Sequence, residues 1–226
     1  MNDWSSLEST ITACRLCPRL VTWREEVARV KRRAYWEEDY WGKPVPGFGD
    51  PDARVLIVGL APGAHGANRT GRMFTGDSSG DFLYAALHQV GFASQPTSRG
   101  RDDGLTLTDV YISAACRCAP PDNKPATTEL TACLPFLAAE IALLRDIQVV
   151  VALGRIAFDA ILRVYAYQSQ PILPQPLFAH NAVASLGDGL PMLVTSYHPS
   201  RQNTQTGRLT TEMFNDVWTS VRRLLE

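Results

Sequence analysis

Four short apolar runs interrupt the sequence, at 54–59, 110–115, 147–153 and 193–196. Each has the length and continuous apolar character of a strand buried on both faces. Elsewhere apolar residues recur at the 3.6-residue spacing of helices, as Leu83, Leu87 and Val90 do. The pattern predicts strands at the four runs and helices over 4–33, 78–91, 127–145, 155–166 and 210–225.

Strands that alternate with helices are typical of an α/β fold. Such strands pair mostly in parallel, and the helices cover both faces of the sheet. We therefore expect a three-layer α/β/α sandwich around a four-stranded, mostly parallel sheet. The chain shows no repeats or clear linker, so we expect one domain over 1–226, with 1–50 as an N-terminal helical region. The proline-rich segment 171–178 predicts a loop.

Charge and hydropathy narrow the classes of function. The 226 residues carry a formal net charge of −1, unlike the strongly basic balance of many small nucleic-acid-binding domains. Any phosphate binding must therefore come from a local patch. Five cations lie in or beside predicted loops and form either such a patch or an ordinary solvated surface: Arg69, Arg72, Lys124, Arg201 and Arg208.

The amino terminus is polar and lacks the pattern of a secretory signal. The longest apolar stretches are shorter than the roughly 20 residues of a membrane helix. We therefore expect a cytoplasmic protein with no membrane partner.

Five cysteines suggest metal binding rather than disulfides, because an odd number in a reducing compartment is a poor disulfide framework. Cys14 and Cys17 form a CxxC pair that can bind one metal centre, and Cys118 with Cys133 could complete a four-sulfur shell. The long gap between the two pairs does not match a zinc ribbon. Spacing alone does not decide between Cys116 and Cys118, and ordinary buried cysteines are the alternative.

Two loops rich in Gly, Asn, Thr, Arg and His follow predicted strands, at 59–77 and 198–208. The carboxyl ends of parallel strands lie at one edge of a sheet, so we expect the loops to converge on one pocket.

Three features together resemble the type B, or family five, uracil-DNA glycosylases. They are GLAPGAH at 59–65 with TGRMFTGD at 70–77, the cysteine set, and YHPSRQNTQTGRL at 197–209. The resemblance runs from Cys14 to about Met213. It implies a structural 4Fe-4S cluster on Cys14, Cys17, Cys118 and Cys133, which leaves Cys116 free. It also implies a DNA repair enzyme that flips a deaminated base out of DNA, hydrolyses its N-glycosidic bond and leaves an abasic site.

The candidate catalytic residues suit that reaction, which develops positive charge on the sugar and negative charge on the departing base. His198 could donate a hydrogen bond to the base carbonyl, or be a structural histidine. Asp77 could stabilise the sugar cation and orient the attacking water. It could also be the N-cap of the following helix, and both roles can hold at once. The resemblance assigns Asn123 to the active site; otherwise it is a turn residue among prolines.

The base-binding candidates are Phe74 and Ala61. Phe74 would stack on a flipped base, or anchor its loop in the core. Ala61 lies in the apolar segment 60–62, where other glycosylase families place an acidic or amide side chain. Ala114 stands where the type A enzymes have an asparagine. The apolar side chains at these positions predict looser base selection, which extends from uracil to hypoxanthine and xanthine.

The segment 201–208 resembles the part of these enzymes that enters DNA and holds the base out. The DNA-binding candidates are Arg201, Gln202, Asn203, Gln205 and Arg208. We expect a monomer whose partner is DNA with a deaminated base. The alternative class is an iron-sulfur DNA-binding or redox protein without glycosylase activity, which would not require Phe74, Asp77 and His198.

Overall fold

The computed structural model of the protein describes residues 3–168 and 174–226. In these residues a six-stranded sheet has the order β1-β3-β2-β4-β6-β5. The strands are β1 Phe48–Gly49, β2 Val55–Gly59, β3 Val110–Ala114, β4 Val149–Leu153, β5 Ala182–Ser185 and β6 Met192–Ser196. The helices are α1 Trp4–Ala13, α2 Pro18–Val30, α3 Ala67–Thr70, α4 Ser78–Gln89, α5 Thr127–Leu143, α6 Arg155–Gln168, α7 Arg201–Gln205 and α8 Thr211–Leu224.

The four central strands are parallel and correspond to the four predicted apolar runs. β2 pairs in parallel with β3 and β4, and β4 pairs in parallel with β6. Every residue of β2, β3 and β4 is buried, as expected of strands covered on both faces.

The predicted strand count of four is wrong, because β1 and β5 add antiparallel edges to the sheet. β1 has two residues, and β5 has four residues that alternate between half-buried and exposed. Strands this short carry too few apolar positions for a periodic signal.

Helices pack on both faces of the sheet, so the predicted α/β/α sandwich is confirmed. On one face Ile57 packs with Leu83 of α4 and Trp218 of α8 in one apolar cluster. On the other face Leu56 packs with Leu137 of α5 and Ile161 of α6.

The predicted helix over 4–33 is instead two helices, α1 and α2. Cys14 ends α1 in an extended conformation, and Cys17 is extended before Pro18. A proline disfavours the helical conformation in the residue before it but is well tolerated at the first position of a helix. The CxxC segment is therefore held outside both helices.

Two short helices, α3 and α7, lie within the segments expected to be loops. Of the predicted loop over 171–178, residues 174–178 have neither helix nor strand, and 171–173 lie outside the described residues. In the part of the chain that the structure describes, no helix combines the length and apolar character needed to cross a membrane.

Candidate active site

The four parallel strands end at one edge of the sheet, at Gly59, Ala114, Leu153 and Ser196. The segments that leave this edge carry most of the predicted site residues. This edge is where α/β proteins commonly bind ligands.

Phe74 and His198 bring the two motif loops together. Their ring centroids are 5.9 Å apart and their planes differ by 27°. Phe74 has a positive φ of 51°, a backbone conformation that bulky residues rarely adopt. The pair therefore forms a shared aromatic surface between loops that are more than a hundred residues apart in sequence.

Glycines at two strand ends make room for these rings. A Cβ on Gly59 would lie 2.7 Å from Cζ of Phe74, too close for a side chain to fit unless the ring moved. Gly154 has a φ of +95°, and its Cβ would lie 3.2 Å from Cβ of His198. Phe74 and His198 thus lie directly against backbone at the carboxyl edge.

Burial lowers the pKa of His198 to about 4. The imidazole is therefore neutral near pH 7, and a neutral imidazole still donates one hydrogen bond from its ring N–H. Because charging the ring costs desolvation energy, this histidine is suited to donating a hydrogen bond rather than to carrying a positive charge.

Asp77 is the N-cap of α4, which is one of the two roles that the sequence predicted for it. Its Oδ1 accepts hydrogen bonds from the backbone N–H groups of Ser79 at 3.0 Å and Gly80 at 3.1 Å. Burial raises the pKa of the carboxyl group, and the two backbone hydrogen bonds oppose that shift. Both the cap and a chemical role remain compatible with this geometry.

The second carboxylate oxygen of Asp77 faces the GLAPGAH loop. A Cβ on Gly63 would lie 2.7 Å from Oδ2, and a Cβ on Gly66 would lie 1.9 Å from it. Within residues 3–168 and 174–226, Oδ2 accepts no hydrogen bond. One oxygen is thus fixed by the helix, and the other lies against the loop glycines without a hydrogen-bond donor among the described residues.

Arg69 stabilises the loop that carries Phe74 and Asp77. The side chain is 7% exposed. Its Nε donates to the carbonyl of His65 at 2.8 Å, and its Nη2 donates to the carbonyl of Gly76 at 3.0 Å. It also forms an ion pair with Glu38 and lies 4.0 Å from the ring centroid of Tyr35.

Arg72 also stabilises this loop. It is 4% exposed, and its Nη2 contacts the Asp103 carboxylate at 2.8 Å. Its Nε donates to the hydroxyl of Thr75 at 2.9 Å. The expectation that Arg69 and Arg72 belong to an exposed phosphate patch is therefore wrong, because both are buried and paired.

Asn123 and Ala61 lie on the segments that leave β3 and β2 at the same edge of the sheet. Asn123 is exposed on the turn Pro121–Asn123, with a φ of 56°. Ala61 packs against a cluster of buried cysteines that includes Cys116 and Cys118. In the described residues, neither shares a hydrogen bond with Phe74, Asp77 or His198.

The predicted DNA-binding segment forms α7 and the turn after it. Its side chains at Arg201, Gln202, Gln205 and Arg208 are exposed. Asn203 differs, because it is half-buried and its Nδ2 donates to the backbone carbonyl of His198 at 2.8 Å. Asn203 therefore connects α7 to the candidate catalytic histidine.

The segment 31–43, which we did not connect to the site from its sequence, packs on the GLAPGAH loop. Tyr40 places its hydroxyl 3.1 Å from Nδ1 of His65, and the backbone N–H of Trp41 donates to the carbonyl of Arg69. A cluster of aromatic residues before the first long strand was the available signal.

Four cysteines line one small cavity. They are Cys14, Cys17, Cys118 and Cys133, the set implied by the resemblance. Cys116 does not line the cavity, although its sulfur lies 4.0 Å from that of Cys133. All five cysteines are free thiols. Burial raises the pKa of Cys118 to about 12, and Arg24 acts in the opposite direction.

In the described ranges, no three His, Cys, Asp or Glu side chains are close enough to hold a single metal ion. The four sulfurs around the cavity are nevertheless the donor type that iron-sulfur clusters use.

The fold and the site define a class: an α/β protein with a paired aromatic ring and histidine at the carboxyl edge of its sheet, where such proteins commonly bind ligands. Residues 46–222 match the profile of the Uracil DNA glycosylase superfamily. The chain belongs to this superfamily.

Three relatives share most of the chain. It is 54% identical to the type-5 uracil-DNA glycosylase of Thermus thermophilus, over 98% of each protein. It is 51% identical to that of Mycobacterium tuberculosis, over 96% of this chain and 80% of the relative. It is 44% identical to that of Pyrobaculum aerophilum, over 90% of this chain and 85% of the relative. The resemblance to family five is confirmed.

Proposed function

We propose that this protein is a DNA repair glycosylase that hydrolyses the N-glycosidic bond of uracil in DNA and leaves an abasic site. Membership of the superfamily and the type-5 relatives support this activity. The observation that carries the proposal is the Phe74 and His198 pair on two loops at one sheet edge, because a flipped base needs both a stacking surface and a hydrogen-bond donor.

Phe74 binds the base and His198 stabilises the charge that develops on it. A flipped base stacks on the Phe74 ring, and the neutral His198 donates a hydrogen bond to a base carbonyl. That hydrogen bond strengthens as the departing base becomes anionic, so it favours the transition state over the bound substrate.

Asp77 acts on the sugar side of the bond. Its Oδ1 is held by two backbone hydrogen bonds, which fix the carboxylate. Its free Oδ2 stabilises the cationic sugar and orients the attacking water. By the resemblance to the family, Asn123 positions the same water or forms hydrogen bonds with the edge of the base. Its loop leaves the same edge of the sheet.

Selection among bases is loose. Ala61 contributes no side-chain donor or acceptor at the position where other glycosylase families place one, so hypoxanthine and xanthine are substrates as well as uracil. The exposed side chains of α7 and Arg208 contact DNA around the flipped nucleotide, and Asn203 positions His198.

The four cavity cysteines hold a structural 4Fe-4S cluster. All four sulfurs line one cavity, and thiolates are the usual ligands of such clusters. The bound cluster would supply a cross-link between the α1–α2 connection, the loop after β3, and α5. That link ties residues 1–50 to the rest of a single domain.

We further propose that the protein works as a monomer on chromosomal DNA in the cytoplasm.

The test uses labelled duplexes that contain one uracil, hypoxanthine or xanthine. Each is incubated with the cluster-loaded protein and then treated with alkali, which breaks DNA at abasic sites. Strand breaks at uracil are expected, and a matched duplex with cytosine is the control. If the protein binds DNA but yields no breaks at any of the three bases, the proposal fails in favour of a binding protein without glycosylase activity.

A further inference from the structure

Arg24, in the middle of α2, is one of the most deeply buried charged side chains described. It is 2% exposed. Burying a guanidinium is costly unless an opposite charge and hydrogen bonds compensate it. Arg117 has such an opposite charge, because its Nη2 lies 2.5 Å from the buried Glu140 carboxylate, although its Nε and Nη1 have no partner among the described residues. Arg24 has no comparable carboxylate among the described residues.

The contacts of Arg24 point instead to the cysteine cavity. Its Nη1 lies 3.3 Å from Sγ of Cys118, and its Nη2 lies 3.4 Å from the carbonyl of Cys14. Its Nε has no partner among the described residues. Glu25 is 3.6 Å away, but it is 44% exposed and makes two hydrogen bonds with Arg15.

We propose that Arg24 is a positioning residue for the cluster, a buried counter-charge that also donates an N–H···S hydrogen bond to the Cys118 thiolate. This inference rests on the proposed 4Fe-4S cluster. Four thiolates bring negative charge into an apolar cavity, and one fixed cation beside them lowers the cost of burying that charge. Hydrogen bonds and charge near the sulfurs also set the potential of such clusters.

Arg24 also links the cysteine cavity to the active-site loop. Its backbone carbonyl accepts a hydrogen bond from Nδ2 of Asn68 at 3.2 Å, and the same nitrogen lies 3.4 Å from the carbonyl of Ala64. Asn68 is fully buried. Every Arg24 variant keeps this carbonyl, but a shift of α2 would disturb the loop, so glycosylase activity is not the measurement that tests the side chain.

The experiment compares the full-length wild type with Arg24→Gln and Arg24→Lys, all purified without oxygen. Arg29→Gln is the matched control, because Arg29 is on the same helix, is 73% exposed and, among the described residues, pairs only with Glu26. Three properties are measured: iron and sulfide per chain during incubation with a chelator, the midpoint potential of the cluster, and the Fe–S stretching frequencies by resonance Raman spectroscopy.

We expect Arg24→Gln to lose iron about tenfold faster than the wild type. Its midpoint potential should be more negative, because the missing cation no longer favours the added electron. Arg24→Lys keeps the charge, so its potential should stay near that of the wild type while its Fe–S frequencies shift. Arg29→Gln should match the wild type in all three.

Wild-type iron retention and potential in Arg24→Gln would overturn the inference. Should Arg24→Gln fail to fold, unchanged iron retention and Fe–S frequencies in Arg24→Lys would overturn it equally. Wild-type protein without iron and sulfide would overturn the cluster and this inference together, whereas the alkali cleavage assay decides the glycosylase proposal separately.

Discussion

At the scale of single residues, Asp77 combines two functions that a substitution can separate. Asparagine is as good an N-cap as aspartate but cannot stabilise a cationic sugar. We expect Asp77→Asn to keep the stability of the wild type and to lose turnover by about a hundredfold or more. Asp77→Ala should lose turnover and also about 1 kcal/mol of unfolding free energy.

Denaturant unfolding and single-turnover kinetics on a uracil duplex distinguish the two variants, and fluorescence anisotropy gives their DNA affinity. Affinity should stay near that of the wild type. If Asp77→Asn binds DNA far more weakly but retains turnover, Asp77 is a binding residue.

The pH dependence of turnover follows from the same residue. Burial raises the pKa of Asp77 above the ordinary value of about 3.9, and the carboxylate form is the active one. Turnover should therefore fall as the pH drops through this raised pKa. The residual activity of Asp77→Asn should lack this acid limb, because the amide side chain does not titrate. An identical acid limb in both proteins would contradict this assignment.

His198 gives a second prediction at this scale. His198→Ala removes a hydrogen-bond donor to the departing base, so we expect turnover to fall by about a hundredfold with little change in DNA affinity. Alkali cleavage of samples taken at successive times measures turnover, and fluorescence anisotropy measures DNA affinity. A loss confined to affinity would make His198 part of the binding surface alone.

At the scale of elements, the carboxyl end of β2 must be glycine for Phe74 to occupy its place. Gly59→Ala would put a methyl group 2.7 Å from the ring, so the ring must shift relative to His198. Because displacements of about 1 Å in a site can cost about a hundredfold in rate, we expect turnover to fall by tenfold to about a hundredfold.

Gly100→Ala is the control for this prediction, because a Cβ there meets nothing within 4 Å and the residue has no positive φ. Turnover of both variants is compared at saturating DNA. Equal turnover of Gly59→Ala and Gly100→Ala would show that the position of the Phe74 ring does not matter.

The elements also show what the sequence could predict. The four central strands were predictable because burial on both faces produces unbroken apolar runs. β1 and β5 were not, since strands of two and four residues carry too few apolar positions for a periodic signal. The break between α1 and α2 was missed although Pro18 signals it. Arg69 and Arg72 were misplaced because their carboxylate partners lie 31 residues away in sequence, and no local pattern reveals such a pair.

For the candidate site, the motifs supplied Phe74, Asp77 and His198, and the structure groups Phe74 with His198. The contribution of Asn203 through its side-chain hydrogen bond to His198 could not be read from the sequence, because it depends on the fold of α7.

At the scale of the whole molecule, a net charge of −1 means that DNA affinity depends on where cations lie. Arg201 and Arg208 are exposed beside the site. We expect Arg201→Gln and Arg208→Gln each to reduce the slope of log affinity against log salt concentration by about 0.9, the value for one lost phosphate contact.

Arg223→Gln is the matched control. Arg223 is exposed near the end of α8, where the carbonyl of Leu225 contacts Arg54 just before β2 begins, at the opposite edge of the sheet. Anisotropy titrations over a range of salt give the slopes. Equal slopes for all three variants would place the DNA elsewhere on the surface.

The hydrogen bond from Asn203 to the His198 carbonyl has a mechanical consequence for damage search. Since α7 and the histidine backbone are joined, a duplex that displaces this helix would also move the imidazole relative to Phe74. A lesion whose duplex displaces α7 would therefore misplace the histidine. The enzyme would bind such a lesion with normal affinity but cleave it slowly.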